Sequence, residues 1–411
     1  MNARRLMIGL TTLVLVVAVF VGIASRTPVT ANTSTLPELN RTTLENVRDY
    51  ASAVTPNGTN FAIDAGLLYA GQPNNWQRVI LPEGVLANAV AVDARNDNAV
   101  YVGAANELAI YRTTDGGANW LRVPLSDQFI GAVTDLAVDG ANRLLYVGTD
   151  TAGVFRLRDV GSSMISGGHM PLDEAVVEMA ADSTGAGLAF VRTARSLFRS
   201  MNSGLNWAKV DSLPSTPTAV EVLNTTPASV FVGTVDRGLW KSADGIAWMS
   251  ANDGLGMIPG ARLQVDALTV DPLYPNVMYV ATSYLYGSST LHRSPVGVSL
   301  SATAGRQWMP LTRDGKTAVV ELLPLSGTTG AVYALTNSSR TPFALGSAPV
   351  AVQATQKPVA SDGDLLAGAG VMSAWIVAMI AAIWLSVLVA ASLRSSPVEL
   401  QPVAQTVQMQ R

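Results

Sequence analysis

An all-β, seven-bladed β-propeller flanked by N-terminal and C-terminal transmembrane helices is the fold this sequence predicts, on three observations. One phrase recurs along the middle of the chain at a period near 43 residues. A Ser/Thr-x-Asp-x-Gly turn ending in Trp follows several copies. An uncharged apolar stretch stands near each end.

The N-terminal stretch, Leu6 to Ala24, is long enough to cross a bilayer. Arg4 and Arg5 precede it and hold that end in the cytoplasm, so the chain that follows is exported. Gly22-Ile23-Ala24 offers small residues to a signal peptidase, so residues 1–24 read as an anchor or a signal segment. Near the other end no residue from Leu365 to Leu393 is charged, and Trp375 and Trp384 lie within that span. Asp362 and Asp364 stand before it and Arg394 after it, which places the tail 394–411 in the cytoplasm. Residues between the two helices are therefore expected on the extracytoplasmic side of a cell membrane. Residues 25–50 and 347–364 read as linkers, with one or two helical turns over Thr42 to Ala51.

Between the linkers, an apolar strand ending in Asp leads to an aromatic-apolar-Gly strand and then to an aromatic-basic pair. Ala91-Val92-Asp93 leads to Tyr101-Val102-Gly103 and Tyr111-Arg112, and Ala137-Val138-Asp139 to Tyr146-Val147-Gly148 and Phe155-Arg156. Further copies end in Phe198-Arg199, Trp240-Lys241 and His292-Arg293, an early one runs from Ala53 to Tyr69, and an incomplete one from Val319 to Thr336. These give seven blades at about 51–80, 81–127, 130–172, 173–213, 217–255, 262–313 and 318–346. Merging the first and last copies gives a six-bladed alternative. The last copy lacks an outer strand, so the stretch before Ala51 is expected to complete it and close the ring.

The turn after the aromatic-basic pair is clearest at Thr113, Asp115, Gly117 and Trp120. Its frame returns at Ser200, Asn202, Gly204 and Trp207, then at Ser242, Asp244, Gly245 and Trp248, and in part at Ser301, Gly305 and Trp308. Hydroxyl and carboxylate groups bind nearby backbone N–H groups, Gly takes a positive φ, and Trp fills the space under the turn. Trp76, Trp120, Trp207 and Trp248 are 44, 87 and 41 residues apart, so one turn is missing, near Ser162 to His169. Trp308 follows after 60 residues, which implies an insertion at Ser283 to Thr290 or Ser294 to Gly297.

These hairpins resemble the Asp-box (BNR) repeats of sialidase-like propellers, over about Ala51 to Gly346. VDPLYPNVMYVAT and IYRTTDGGANWLRV are most similar to photosystem II stability/assembly-factor and sortilin-type propellers. The resemblance implies a domain bound at a membrane surface that holds partner proteins during assembly.

Composition narrows the chemistry. Hydrophobic residues make up 48% and charged ones 14% of the 411 residues, consistent with a part in lipid. A net charge of −3 gives no general attraction to nucleic acid. No cysteine is present, so disulfides, thiolate metal sites and Cys nucleophiles are excluded. His169 and His292 are far apart in sequence, which disfavours a zinc site. The Arg-Ile-Pro signature expected of sialidases is missing, and no phosphate loop, nucleophile elbow or dinucleotide fingerprint occurs. Asp93, Asp139, Asp182 and Asp271 end first strands and read as turn caps, with a cation- or sugar-lined channel mouth as the alternative.

Catalytic and metal residues and cofactors are therefore expected to be none. Arg112, Arg156, Arg199, Lys241 and Arg293 recur at one place in each repeat, and a basic rim for partner binding is their functional reading beside that of solvated strand charges. The expected function is a protein-binding propeller that assists assembly or stability of a membrane complex, or serves as an accessory subunit. A sialidase-like glycoside hydrolase or glycan-binding module is the alternative. The expected partners are the membrane and other membrane proteins, with a glycan as a further ligand.

Overall fold

The computed structural model describes residues 40–345 apart from 42, 56–57, 73, 95, 288–289, 313–317 and 325–331. The expected membrane segments 1–24 and 365–393, the linker 347–364 and the tail 394–411 lie outside the described residues. No helix among the described residues is long and apolar enough to cross a membrane.

Seven antiparallel sheets follow one another along the chain, each built from strands consecutive in sequence. Blades 2 to 6 have four strands each, and their innermost strands are Ala87–Asp93, Val133–Asp139, Val176–Ala181, Pro217–Leu223 and Arg262–Val270. Seven apolar clusters, each shared by two neighbouring blades, form the core among the described residues. The propeller is thus a ring of sheet-on-sheet contacts, with period-two alternation burying both faces of every blade.

The two end blades differ from expectation. The described part of the segment read as a linker, residues 40–50 apart from 42, reaches into the ring: Val47–Ser52 is the innermost strand of blade 1, where helical turns were expected, and residues 25–39 lie outside the described residues. Asn40–Arg41 adds a fifth strand outside Asn75–Val79 of that same blade. Among the described residues blade 7 has three strands, Val319–Pro324, Val332–Thr336 and Phe343–Leu345, and the described early segment joins blade 1 rather than completing it.

The ring closes instead by packing and a clip. Leu44, Val47, Tyr69 and Trp76 of blade 1 bury against Leu323 and Leu335 of blade 7. Arg340 donates to the Val47 carbonyl at 2.8 Å and pairs with Glu321 at 3.0 Å, while its own carbonyl accepts from the Val47 N–H at 3.1 Å. Ser52 donates to the Pro324 carbonyl at 2.6 Å. Arg340→Met should lower unfolding stability by about 2 kcal/mol, as a denaturant midpoint would read, because the Val47 and Arg48 carbonyls and the Glu321 carboxylate lose a charged donor.

Blade 6 carries the expected insertion as a longer hairpin, Met278–Tyr286 with His292–Ser301. Its register pairs Tyr279 with Leu300, as Tyr101 pairs with Arg112 and Tyr146 with Arg156. Leu300 therefore holds the repeat position assigned to Arg293, which lies in the extended part opposite Leu285.

Candidate functional site: the central channel

In all seven blades the innermost strand carries a bulge against the second strand, at Val47/Asp49, Ala87/Ala89, Val133/Asp135, Val176/Glu178, Pro217/Ala219, Val265/Ala267 and Val319/Glu321. A bulge interrupts the alternation and re-aims side chains. Here the bulges sit at the strands' N-terminal ends, where the channel widens into a cavity of about 540 Å³. Six carboxylates line it: Asp49, Asp135, Glu178, Glu221, Asp266 and Glu321. Arg48, Arg192 and Arg340 share the wall.

An innermost strand has no sheet neighbour on its channel side, so its N–H groups there need other acceptors. The carboxylates supply them across blade boundaries. Asp49 accepts from the Val90 N–H at 2.7 Å, Asp135 from Met179 at 2.5 Å, and Glu178 from Val220 at 3.2 Å. Asn88 continues the hoop by donating to the Val133 carbonyl at 2.7 Å. Arg192 pairs with Glu178 at 2.7 Å, and Arg293 reaches Asp266 at 2.8 Å. No cation pairs with Asp135 or Glu221 among the described residues.

Burial makes ionisation costly at this hoop. It pushes the Asp49 carboxyl up to about 6, against the pull of the Val90 and Tyr50 N–H groups. Glu321 rises to about 7 and Glu221 to about 8 by burial, aided by the neighbouring charges of Asp49 and Glu178 respectively. Burial likewise raises Asp135, Glu178 and Asp266. Because these groups hold protons more tightly folded than unfolded, their contribution to stability is full below the ordinary carboxylate range and is lost as pH rises through the folded values. Thermal unfolding should therefore come about 5 °C higher at about pH 5 than at about pH 8.5. The exposed carboxylates Asp115 and Asp244, lowered by their turn hydrogen bonds despite some desolvation, act in the opposite sense only at more acidic pH. A flat melting profile over that window would contradict the reading.

The opposite mouth holds about 490 Å³ and is lined mainly by apolar strand ends such as Val92, Val138, Val222 and Val270. Asp271 lines it as well, yet its carboxylate accepts from the Leu273 and Tyr274 N–H groups of its own turn. Asp139 and Asp182 are buried and accept from Asn142 and from Thr184 and Ala186 in the same manner.

The repeated turns and the basic residues Arg112, Arg156, Arg199 and Lys241 lie away from the channel, at the blade interfaces, whereas Arg293 reaches Asp266 at the channel wall. In the first repeated turn the Thr113 hydroxyl donates to Asp115 and accepts from the Gly117 N–H at 3.0 Å, and Asp115 accepts from the Asn119 N–H at 2.9 Å. Ser200 with Asn202 and Gly204, and Ser242 with Asp244 and Gly245, repeat the pattern. In blade 6 Thr303 stands where the others have Asp or Asn, and Ser301 accepts from the Gly305 N–H. Trp120 donates to the Ile80 carbonyl of the preceding blade and Trp308 to that of Ala251, while Trp207 packs edge-on to Tyr146 and Trp248 joins the cluster between blades 4 and 5.

The basic residues reach forward to the next blade's turn. Arg156 donates to the Ser203 carbonyl at 2.5 Å, Arg199 to that of Asp244 at 3.4 Å, and Lys241 sits 5.0 Å over the Phe231 ring beside the turn that holds Gly305. Arg112 is buried and meets Asp159 of blade 3 through two hydrogen bonds, at 2.5 and 2.9 Å. Blade 3 keeps a relic of the turn at Asp159 and Gly161, where Asp159 accepts from the Gly161 N–H, rather than near Ser162 to His169. His169 lies in the outer strand, stacked on Phe155 at 4.3 Å. None of the five basic residues is among those lining the central cavity.

Taken together, the seven sheets and their central channel define a seven-bladed β-propeller. No protein-family model matches the sequence, and no curated protein does. Solved structures do. A xyloglucanase from Xanthomonas campestris aligns over 73% of this chain and 52% of its own, at 19% identity and a TM-score of 0.51. An enzyme of the same glycoside hydrolase class from Niastella koreensis aligns over 75% and 44%, at 18% identity and 0.53. This chain thus spans about half the length of those two enzymes. YCF48, in a structure with a D1 peptide bound, aligns over 78% of this chain and 98% of its own, at 13% identity and 0.53. At such identities the likeness shows the fold.

Proposed function

We propose that this chain is an Asp-box propeller, anchored by its terminal apolar segments on the extracytoplasmic side of a cell membrane. It binds other membrane proteins there as an assembly or stability factor or an accessory subunit. The observation that carries the reading is an apolar rim on the face where the innermost strands begin. Ile130 is 93% exposed beside Phe129 in the connection into blade 3, and Met257 and Ile258 are exposed in the connection into blade 6. Leu86 precedes blade 2, and Tyr286 and Leu291 stand at a hairpin tip on the same face. Exposed apolar side chains gathered on one face mark contact surfaces. The likeness to YCF48, seen with a peptide bound, supports the same reading.

Cross-linking in intact membranes followed by mild-detergent purification tests it. A stoichiometric membrane partner lost on Ile130→Asp is expected, and its absence would count against the proposal. The absence of native cysteine makes topology simple to read. A membrane-impermeant maleimide should label Ser126→Cys in intact cells and leave Ser396→Cys unlabelled until lysis.

A glycoside hydrolase is the second reading, favoured by carboxyls that burial pushes upward in an open cavity and by the xyloglucanase likeness. Turnover of xyloglucan or fluorogenic glycosides that disappears in Glu221→Gln would establish it. Glycan-array binding without turnover would instead favour a glycan-binding module.

A further inference from the structure

Three features converge at the channel mouth where the innermost strands begin. The first is charge. Six carboxylates face three arginines across the cavity, and Asp135 and Glu221 have no cationic partner among the described residues. Each carboxylate offers about four lone-pair sites, and the bonds across blade boundaries occupy only part of them. The second is a set of unsatisfied donors and acceptors. The Thr134 and Thr218 hydroxyls are buried, belong to residues lining this cavity, and have no hydrogen-bond partner among the described residues. Buried hydroxyls without partners are uncommon in folded proteins and call for an explanation. The third is the apolar rim on the same face, with Phe129 and Ile130 entering blade 3 and Met257 and Ile258 entering blade 6.

A chelated metal does not fit. The carboxylates come from different blades around a ring, and no group of three or more His, Asp or Glu among the described residues is arranged to hold a metal ion. A single organic cation that is long, narrow and rich in hydrogen-bond donors fits better. An ammonium has three donors and no acceptor, which matches carboxylate and hydroxyl oxygens facing one space. Its aliphatic stem and apolar neighbours would lie along the rim.

We propose that the acidic mouth of the channel receives a lysine or arginine side chain from a short segment of a partner protein, with aliphatic residues flanking it on the rim. This rests on the protein-binding reading and specifies the chemistry of the partner. Glu221, which has no cation of its own, is the residue on which the selectivity depends most directly.

The test uses the full chain in detergent and three labelled, end-capped peptides: Ala-Leu-Lys-Leu-Ala and its counterparts with norleucine or glutamate at the centre. Fluorescence anisotropy should show the lysine peptide binding at least about tenfold tighter than the norleucine one, with the glutamate peptide weakest. The preference should shrink as salt is raised. Glu221→Gln keeps a polar group toward Thr269 and should remove most of the preference without lowering the melting temperature. Asp135→Asn gives a second reading of the same site, and Glu107→Gln, in the hairpin tip between Asn96–Ala104 and Ala109–Thr113 and outside the cavity lining, serves as a control that leaves the preference intact. Equal binding of the lysine and norleucine peptides, or no binding by either, would overturn the inference. So would spermine competing as well as the peptide itself, because the site would then take a free cation. A cross-linked partner captured equally by native chain and Glu221→Gln would also overturn it, while leaving the broader protein-binding reading standing.

Discussion

Replacing Arg112 with Ala should lower the stability of the ring by about 3–5 kcal/mol, the usual consequence of leaving one member of a buried ion pair alone. Arg112 and Asp159 are both largely buried, with side-chain exposures of 7% and 12%. Asp159 also accepts from the Tyr101 hydroxyl at 2.7 Å, so three groups from blades 2 and 3 meet at one carboxylate. Deleting the guanidinium leaves that carboxylate charged, desolvated and held only by the phenol and the Gly161 N–H. Removing both charges together, in Arg112→Met with Asp159→Leu, should recover much of the loss. A denaturant-unfolding cycle over the single and double variants checks both statements. A solvated strand charge or a partner-binding residue would instead give a loss below about 0.5 kcal/mol.

Gly204→Val should destabilise by about 3 kcal/mol or more, for two reasons that add. Its φ of +74° is strained for any residue with a β-carbon, and most for a β-branched one. A β-carbon there would also stand 2.5 Å from the Tyr146 ring and 3.2 Å from the Arg156 side chain. Gly245 repeats the arrangement with φ +71° against Phe190 and Arg199. The same substitution at Gly84, which has φ +80° and nothing within 4 Å of a built β-carbon, isolates the backbone part. Thermal melts of the two variants should differ by the packing contribution, and equal losses would mean that the interface relaxes around the added carbon.

These positions explain what the sequence made legible. The aromatic residue of the second strand, the basic residue of the third and the Gly of the following turn recur because together they make one blade-to-blade joint. A motif repeated at every joint is visible as periodicity, and the seven-bladed ring followed from it. The aromatic-basic register failed in blade 6, where two strands lengthen and carry Arg293 away from the position held by Leu300. Blade 3 kept Asp159 and Gly161 but replaced the hydroxyl residue by Leu157 and the Trp by Met164, which hid its turn.

The channel was the part the sequence concealed. Its carboxylates are single acidic residues near the starts of otherwise apolar strands, and the bulges that turn them inward break the alternation by which a strand's faces are read. Asp135 and Glu178 sit two residues after a buried Val in blades 3 and 4, a spacing that marks the hoop once the bulge is known. Val47–Ser52 gave no signal of this kind because VRDYAS carries two charges and no clear apolar alternation. Its partners, Asn60–Asp64 and the seam to blade 7, determine its conformation.

The seam between blades 7 and 1 has a consequence for the order in which the chain assembles. Among the described residues no blade borrows a strand from the far end of the sequence, so each described sheet is built from one continuous segment of chain. Contacts within blades are short in sequence, whereas the bonds at the seam join residues 272 to 296 positions apart. Growth from the first blade onward therefore needs no late partner until Arg340 arrives, and the long-range loop is closed once, at the end. A ribosome-bound chain truncated after blade 6 should already protect the amides of its early sheets from exchange, leaving the edge that awaits the seventh blade as the last to quieten.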